Sequence, residues 1–408
     1  MRMAIACLVV LVTAQAGQAN ASSQDVSGEL RVLYALVTWG PTPFAPPDAE
    51  RVAAETADFF NTSSAGRLSL RSSVVGPLRL PRRVFDSCDA TALRNATPAS
   101  TFAGYDRIVF VAPFLGACNF AGEANPTEVL LNGRLFMTLA AHELGHTLGL
   151  GHASRWDCLG RTCTVDEYGG EFSVMGHGSG SLNAYEKGAL GWLSGILRPD
   201  GRATHALGPV EGPTTLPQAL VVTTAASEFW IESRGRPTPS FTGGSEQPPG
   251  VAVVAGPVPE GEASPYPRAN LLLPNPGGGG RFAYTTGESF VDREIFRVVV
   301  ERHSAEAAAL RFEWLDHVAP TRPRLVVRAP GRGRVHLTWD SSVERGSGVD
   351  TYSVLLDGRV VRSLRQQVPF SGWRASLHLS RGVHRIAVFA TDRAGNRGRA
   401  ATARVRVA

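Results

Sequence analysis

The stretch AAHELGHTLGLGHA, Ala140 to Ala153, places three histidines and one glutamate within a few turns of chain. It lies in the run Gly133 to Leu150, whose apolar spacing predicts a helix. On a helix His142 and His146 are one turn apart on one face. Two imidazoles so placed reach one Zn2+ ion. Glu143 follows the first, at an angle that suits a water on the metal better than the metal itself; this is the H-E-x-x-H arrangement. Zinc lowers the pKa of its water towards ~7, and a carboxylate base takes the proton. A third protein ligand is needed, with a fourth position open for water. Gly149 is free to adopt a positive φ and break the helix, so that His152 returns to the metal. The string HELGHTLGLGH matches H-E-x-x-H-x-x-G-x-x-H, which is far more specific than H-E-x-x-H alone.

The same pattern predicts a tight methionine turn downstream, a floor under the metal. FSVMGHG, Phe172 to Gly178, supplies Met175 followed by Gly176 and Gly178. His177, two residues past Met175, is a candidate hydrogen-bond donor to the transition-state oxyanion, with Tyr185 a weaker one. Asp157, Asp166, Glu167 and Glu171 lie between His152 and Met175. They offer oxygen ligands for Ca2+, but without an EF-hand or other calcium spacing, so the expectation is a polar loop.

These residues together resemble the metzincin clan of zinc metalloproteases, and within it the gametolysin-like family, peptidase M11. The resemblance rests on HELGHTLGLGHA, on DEYGGEFSVMG (Asp166 to Gly176), on LNAYEKGALGWL (Leu182 to Leu193) and on FFNTSSAGRLSL near the start. It covers roughly Leu30 to Leu193 and implies endopeptidase activity on protein or peptide substrates. It also implies zinc ligation by His142, His146 and His152, with Glu143 as general base. Two departures stand out. The first predicted strand follows closely on the predicted signal, leaving little room for a propeptide. Some metzincins carry a tyrosine where this chain has His177.

The rest of the chain is read around that site. LRVLYALVT (Leu30 to Thr38), LSLRSSVV (Leu68 to Val75) and YDRIVFVA (Tyr105 to Ala112) read as strands. PDAERVAAETADFF (Pro47 to Phe60) reads as a helix opened by proline and acids. Beyond Leu193 short strand-like runs alternate with Gly/Pro loops such as PNPGGGGR, Pro274 to Arg281. VAPTRP, Val318 to Pro323, reads as a linker to a last module with strands near RVHLTW, YSVLLDG and HRIAVFATD. That module resembles a fibronectin type III or Ig-like domain, with Trp339 and Tyr352 as inward anchors. The expected fold is multidomain: a signal peptide over 1–21, an α/β (α+β) metzincin-type metalloprotease domain over 22–195, a β-rich domain over 196–317 and a sandwich over 318–408.

MRMAIACLVVLVTAQAGQANASSQ has a positive n-region, a short apolar core and small-x-small cleavage sites, so export is expected. The apolar run is well short of the ~20 residues a membrane span needs. Export leaves Cys88, Cys118, Cys158 and Cys163, an even number with three possible pairings. Cys88–Cys118 and Cys158–Cys163 are favoured, the second closing a short loop. The net charge is +5. From Val318 onward seventeen arginines face five acids, a surplus of +12, so the remainder carries −7. A basic end module suits an anionic cell-surface polymer. No nucleic-acid partner is expected. Two rival functions remain at this level: an adhesion or polymer-binding protein with a vestigial metallopeptidase domain, and a zinc amidase acting on cell-wall peptides.

Overall fold

A computed structural model describes residues 25–41, 43–159, 162–239, 246–257, 269–274, 281–365 and 373–407. The signal-peptide residues and most of the Pro274 to Arg281 loop lie outside the described residues.

The first sheet has the order β2-β1-β3-β5-β4, built from β1 (Gly28–Thr38), β2 (Leu68–Arg79), β3 (Arg107–Ala112), β4 (Gly122–Ala124) and β5 (Glu128–Asn132). β1, β2, β3 and β5 run parallel, and β4 closes the edge antiparallel to β5. A parallel strand covered on both faces must be apolar on both. β1 meets that demand by alternation. Val32, Tyr34 and Leu36 face a core shared with helices α1 (Pro46–Ser63) and α3 (Met137–Thr147). Leu33, Ala35 and Val37 face a second core with Phe85, Leu93 and Phe102, the side of the short helix α2 (Ala90–Asn95). α1 opens on proline, and the Asp48 carboxylate accepts from the Ala45 N–H at 2.9 Å, satisfying one orphan donor of the first turn. α3 is shorter than the expected Gly133 to Leu150. Gly133 has φ +66° and Phe136 is extended, so the helix cannot begin before Met137.

The next elements are β6 (Ala153–Leu159), β7 (Thr162–Asp166), α4 (Ala184–Ala189), β8 (Ile196–Leu197), β9 (Ala203–Leu207), β10 (Ala219–Thr223), β11 (Ser227–Arg234), β12 (Gly250–Pro257), β13 (Ala269–Leu272), β14 (Ser289–Asp292), β15 (Phe296–His303) and β16 (Ala308–Trp314). They form a seven-stranded sheet, β7-β6-β13-β12-β11-β10-β8, and a four-stranded sheet, β14-β15-β16-β9. One face of the larger sheet packs on the smaller through Phe229, Ile231 and Val253 against Phe296, Val298 and Phe312. Its other face packs on Ala184 of α4 and on Phe172 through Trp230 and Val254. The β6–β7 hairpin, which follows His152 directly, enters this sheet by parallel pairing of β6 with β13. Backbone pairing therefore crosses residue 195.

Two further sheets complete the chain: β17 (Leu325–Gly331), β18 (Arg334–Trp339) and β21 (Trp373–His378), against β19 (Val349–Leu356), β20 (Arg359–Arg365), β22 (Gly382–Asp392) and β23 (Ala401–Val407). Trp339 and Tyr352 meet in the shared core with ring centroids 5.9 Å apart. Two sandwich-like β modules thus follow the α/β (α+β) region, as expected. Among the described residues no helix is long and apolar enough to cross a membrane.

Candidate metal centre

α3 buries Leu139, Ala140, Ala141 and Leu144 against the first sheet and turns His142 and His146 away from it. Their ring centroids are 4.8 Å apart and their Nε2 atoms 3.2 Å apart. The helix ends where the sequence places Gly149, at φ +90°. The Gly149 N–H donates to His146 O at 2.9 Å and the Leu150 N–H to Gly145 O at 3.1 Å, the paired bonds of a Schellman-type stop. A side chain at Gly149 would meet no atom within 4 Å, so glycine is needed there for its backbone angle alone. The chain then reverses and brings the His152 ring to 5.3 Å from His142 and 4.9 Å from His146. Ligand-capable atoms of the three histidines all lie within 4.8 Å of one another, and among the described residues this is the group that could hold a metal ion.

The outer nitrogens fix the tautomers. His142 Nδ1 donates to Val174 O at 2.9 Å, His146 Nδ1 to Leu150 O at 2.8 Å, and His152 Nδ1 to Glu167 Oε1 at 2.9 Å. A neutral imidazole that donates through Nδ1 keeps Nε2 as an acceptor. The Nε2 acceptors of His142 and His146 therefore face each other, an arrangement that a shared cation satisfies. Burial lowers the pKa of both, that of His142 to about 4 with the charge of His146 as second cause. Neutral histidines anchored from behind are the form that binds metals, so the residues present fit a zinc ion.

Glu143 is buried between the two helical histidines and β4. A Cβ on Gly122 would come within 2.4 Å of Glu143 Oε1, so the β4 backbone lies directly on the carboxylate. Burial first, and the nearby Glu123 second, push the Glu143 carboxyl up to about 8. Beneath the helix, a Cβ on Gly145 would strike Met175 Sδ at 2.5 Å. The glycine inside HELGH is thus the space into which the fully buried Met175 packs. The turn around Met175 is held by its own N–H to Ser173 Oγ at 3.0 Å and by the Ala153 N–H to Met175 O at 2.9 Å.

His177 lies beside Glu171, Nδ1 to Oε1 3.7 Å. The aromatic ring against the ligands is Tyr168, 4.2 Å from His152 and 5.9 Å from His142 between centroids. Tyr185 packs on Trp230 at 5.8 Å, and burial raises its hydroxyl to about 12. Of the four acids weighed for calcium, Glu167 holds His152, while Asp166 and Glu171 flank Arg155 at 3.1 and 3.7 Å; the side chain of Asp157 lies outside the described residues. Sequence reasoning singled out neither Tyr168, nor Gly122, nor Glu167 as the partner of His152. Tyr168 and Glu167 do lie in the quoted stretch DEYGGEFSVMG, two and three residues before the glycine pair's end.

The expected disulfide Cys88–Cys118 is present and ties the turn after Arg82–Ser87 to the loop that leads into β4. Cys158 and Cys163 face each other in the β6–β7 register; their side chains lie outside the described residues.

Comparison with known proteins adds three findings. Residues 72–229, less than half of the chain, match the model of the gametolysin peptidase M11 family. No curated protein matches. Among solved structures, archaemetzincin from Methanopyrus kandleri is 19% identical, with 40% of this chain and 85% of that chain covered and a TM-score of 0.23. The fibronectin(III)-like modules of Clostridium thermocellum CbhA are 21% identical, covering 21% of this chain and 96% of that chain at a TM-score of 0.18. The spore cortex lytic enzyme SleM of Clostridium perfringens is 13% identical, with 24% of this chain covered and a TM-score of 0.19. The chain spans about a third of SleM, 33% of its length. Scores this low carry no argument of their own. The family match falls on the segment that holds the three histidines and Met175, and over residues 72–229 the chain is similar to the gametolysin peptidase M11 family.

Proposed function

We propose that the protein is an exported zinc endopeptidase, with a peptidase region over 22–195, a β-rich domain over 196–317 and a C-terminal sandwich over 318–408. The observation that carries this reading is the meeting of His142, His146 and His152 within 4.8 Å, beside the buried Glu143. In this reading the three histidines hold the ion through their inward nitrogens. When bound, zinc supplies Lewis acidity towards a water and a carbonyl, and its charge draws the Glu143 carboxyl into its ionised form. Glu143 then takes a proton from the attacking water and passes it to the leaving amine. Among the described residues β4 pairs with β5 alone, and its other edge offers backbone N–H and C=O groups to an extended peptide next to that carboxylate. Met175 supports the helix from below and is no ligand. The complete ligand set and the presence of Glu143 weigh against a vestigial domain.

The test is zinc stoichiometry and casein cleavage for the purified wild type and Glu143→Ala. One zinc per chain is expected in both. Cleavage is expected in wild type alone, lost to a chelator and reduced about 10²–10⁴-fold in the variant. Equal cleavage by the two would remove Glu143 as base, and a folded protein without zinc would remove the metal site.

A further inference from the structure

The arginines of this chain are used in two ways. In the first two modules many meet carboxylates: Arg94 with Glu128, Arg155 with Asp166, Arg198 with Glu228, Arg297 with Glu313 and Arg311 with Glu301 all lie within 3.3 Å. In the last module the arginine contact of this kind among the described residues is Arg365 with Asp350, at 3.8 Å.

The difference is sharpest on the outer face of β17, β18 and β21. Val335, Leu337 and Trp339 of β18 point into the core, so Arg334, His336 and Thr338 point outward. The register sets Arg334 beside His378, His336 between Arg328 and Ser376, and Thr338 beside Arg374. These three strands contain no Asp or Glu. Among the described residues none of Arg328, Arg334 and Arg374 forms an ion pair, and all three are exposed. Adjacent strands lie about 4.8 Å apart and alternate residues about 7 Å apart, so the cations form a flat grid about 13 Å long. The opposite sheet differs in that its strands carry acids, Asp350 of β19, which meets Arg365 at 3.8 Å, and Asp392 of β22.

We propose that this outer face of β17–β18–β21 binds an acidic polysaccharide. Guanidinium groups match carboxylates in fork geometry, and a row of them at sugar-scale spacing suits a polymer with regularly repeated charges. Among the described residues the face exposes no Phe, Tyr or Trp ring on which nucleobases would stack. Its exposed apolar side chain is Val326, too little for a membrane surface. The proposal stands apart from the peptidase reading and fails or survives independently of it.

The experiment measures binding of the full chain to immobilised alginate at low salt. Changing Arg328, Arg334 and Arg374 to Gln together is expected to weaken binding about tenfold, since exposed ion contacts are individually modest. Changing Arg385, Arg404 and Arg406 to Gln on the other sheet is expected to leave it within about twofold, and raised salt to abolish it. Near-ultraviolet circular dichroism checks that both variants keep the wild-type fold. Equal losses in the two variants, or no loss in the first, overturn the proposal. So does tighter binding to a single-stranded DNA oligomer or to anionic phospholipid vesicles that depends on the same three arginines.

Discussion

Two clusters of buried polar side chains lie on either side of the Met175 turn, and they are built on opposite logic. Under α4, Glu186, Lys187, Glu232 and Arg234 are each at most 2% exposed. Most groups there are answered within the chain, Glu186 Oε1 and Arg234 Nη1 being the ones among these four residues without a hydrogen-bond partner. Arg234 Nε donates to Glu232 at 2.7 Å, the Ala184 N–H donates to the other Glu232 oxygen, Lys187 Nζ donates to Val210 O at 2.6 Å, and Ser173 Oγ donates to Glu186 at 2.6 Å. Arg234 Nη1 has Glu211 at 3.9 Å. At the end of α3 the histidines are answered only from behind, and their inner nitrogens face one another. Burying a polar group is costly unless it is bonded. A cluster that closes on itself reads as structure, and one that leaves acceptors converging on a common point reads as a site.

The largest way to break this contrast is to open the closed cluster. Glu232→Gln leaves buried Arg234 with only the more distant Glu211, at 3.9 Å, as an ion-pair partner, a loss on the order of 3–5 kcal/mol of stability. The paired change Glu232→Leu with Arg234→Met is expected to lose far less, because it removes both charges. Urea unfolding of the three proteins measures this. A single variant no weaker than the pair would mean that the cluster is not a closed ionic unit.

Protonation separates one group of each cluster, His142 and Glu186, by sign. Burial holds His142 at about 4, below its ordinary 6.5. Between those values the unfolded chain binds the extra proton, so this contribution is complete above 6.5 and lost as pH falls through about 4. Burial, relieved in part by Ser173, holds Glu186 at about 7, above its ordinary 4.5. Here the folded chain binds the extra proton, so the contribution is complete below 4.5 and lost as pH rises through about 7. Each is worth on the order of 3 kcal/mol. In a chelating buffer between pH 4.5 and 6.5, Glu186→Gln should gain stability relative to wild type as pH rises, and His142→Asn should lose it. Slopes of the same sign would refute the opposition.

The two clusters also differed in how far the sequence revealed them. The histidine site is local: helical period, a stop at Gly149 and a return at His152 all fall within AAHELGHTLGLGHA, and local rules suffice. Met175 followed from the same pattern, although the reason for Gly145, room for its sulfur, needed the packed structure. The ionic cluster is non-local. Glu228, Glu232 and Arg234 alternate with Phe229 and Ile231 along β11, which reads as a strand with one wet face; α4 and the turn before it cover that face. The entry of β6 into the sheet beside β13 was equally hidden, since parallel neighbours over a hundred residues apart leave no trace in spacing. Tyr168 and Glu167 reach the histidines from a loop after β7, and loop geometry has no periodicity to read.

The smallest effect tests the one soft support of the site. His142 and His146 lean on the carbonyls of Val174 and Leu150, which no side-chain substitution removes. His152 leans on the Glu167 carboxylate, whose side chain is 49% exposed. An outer partner of this kind holds the ring and raises its basicity, and losing it costs a metal site about 10–100-fold in affinity. Exposure places Glu167→Gln at the lower end, about tenfold in zinc Kd by competition with a chelating dye, since water screens and replaces the lost charge. Urea unfolding of the chelated protein should stay within about 0.5 kcal/mol of wild type, as for other surface changes. A Kd within twofold of wild type would mean that His152 is held by its chain position between Gly149 and β6 alone. The third ligand would then be as rigidly set as the first two, and the backbone reversal at Gly149 would carry all of the site's preorganisation.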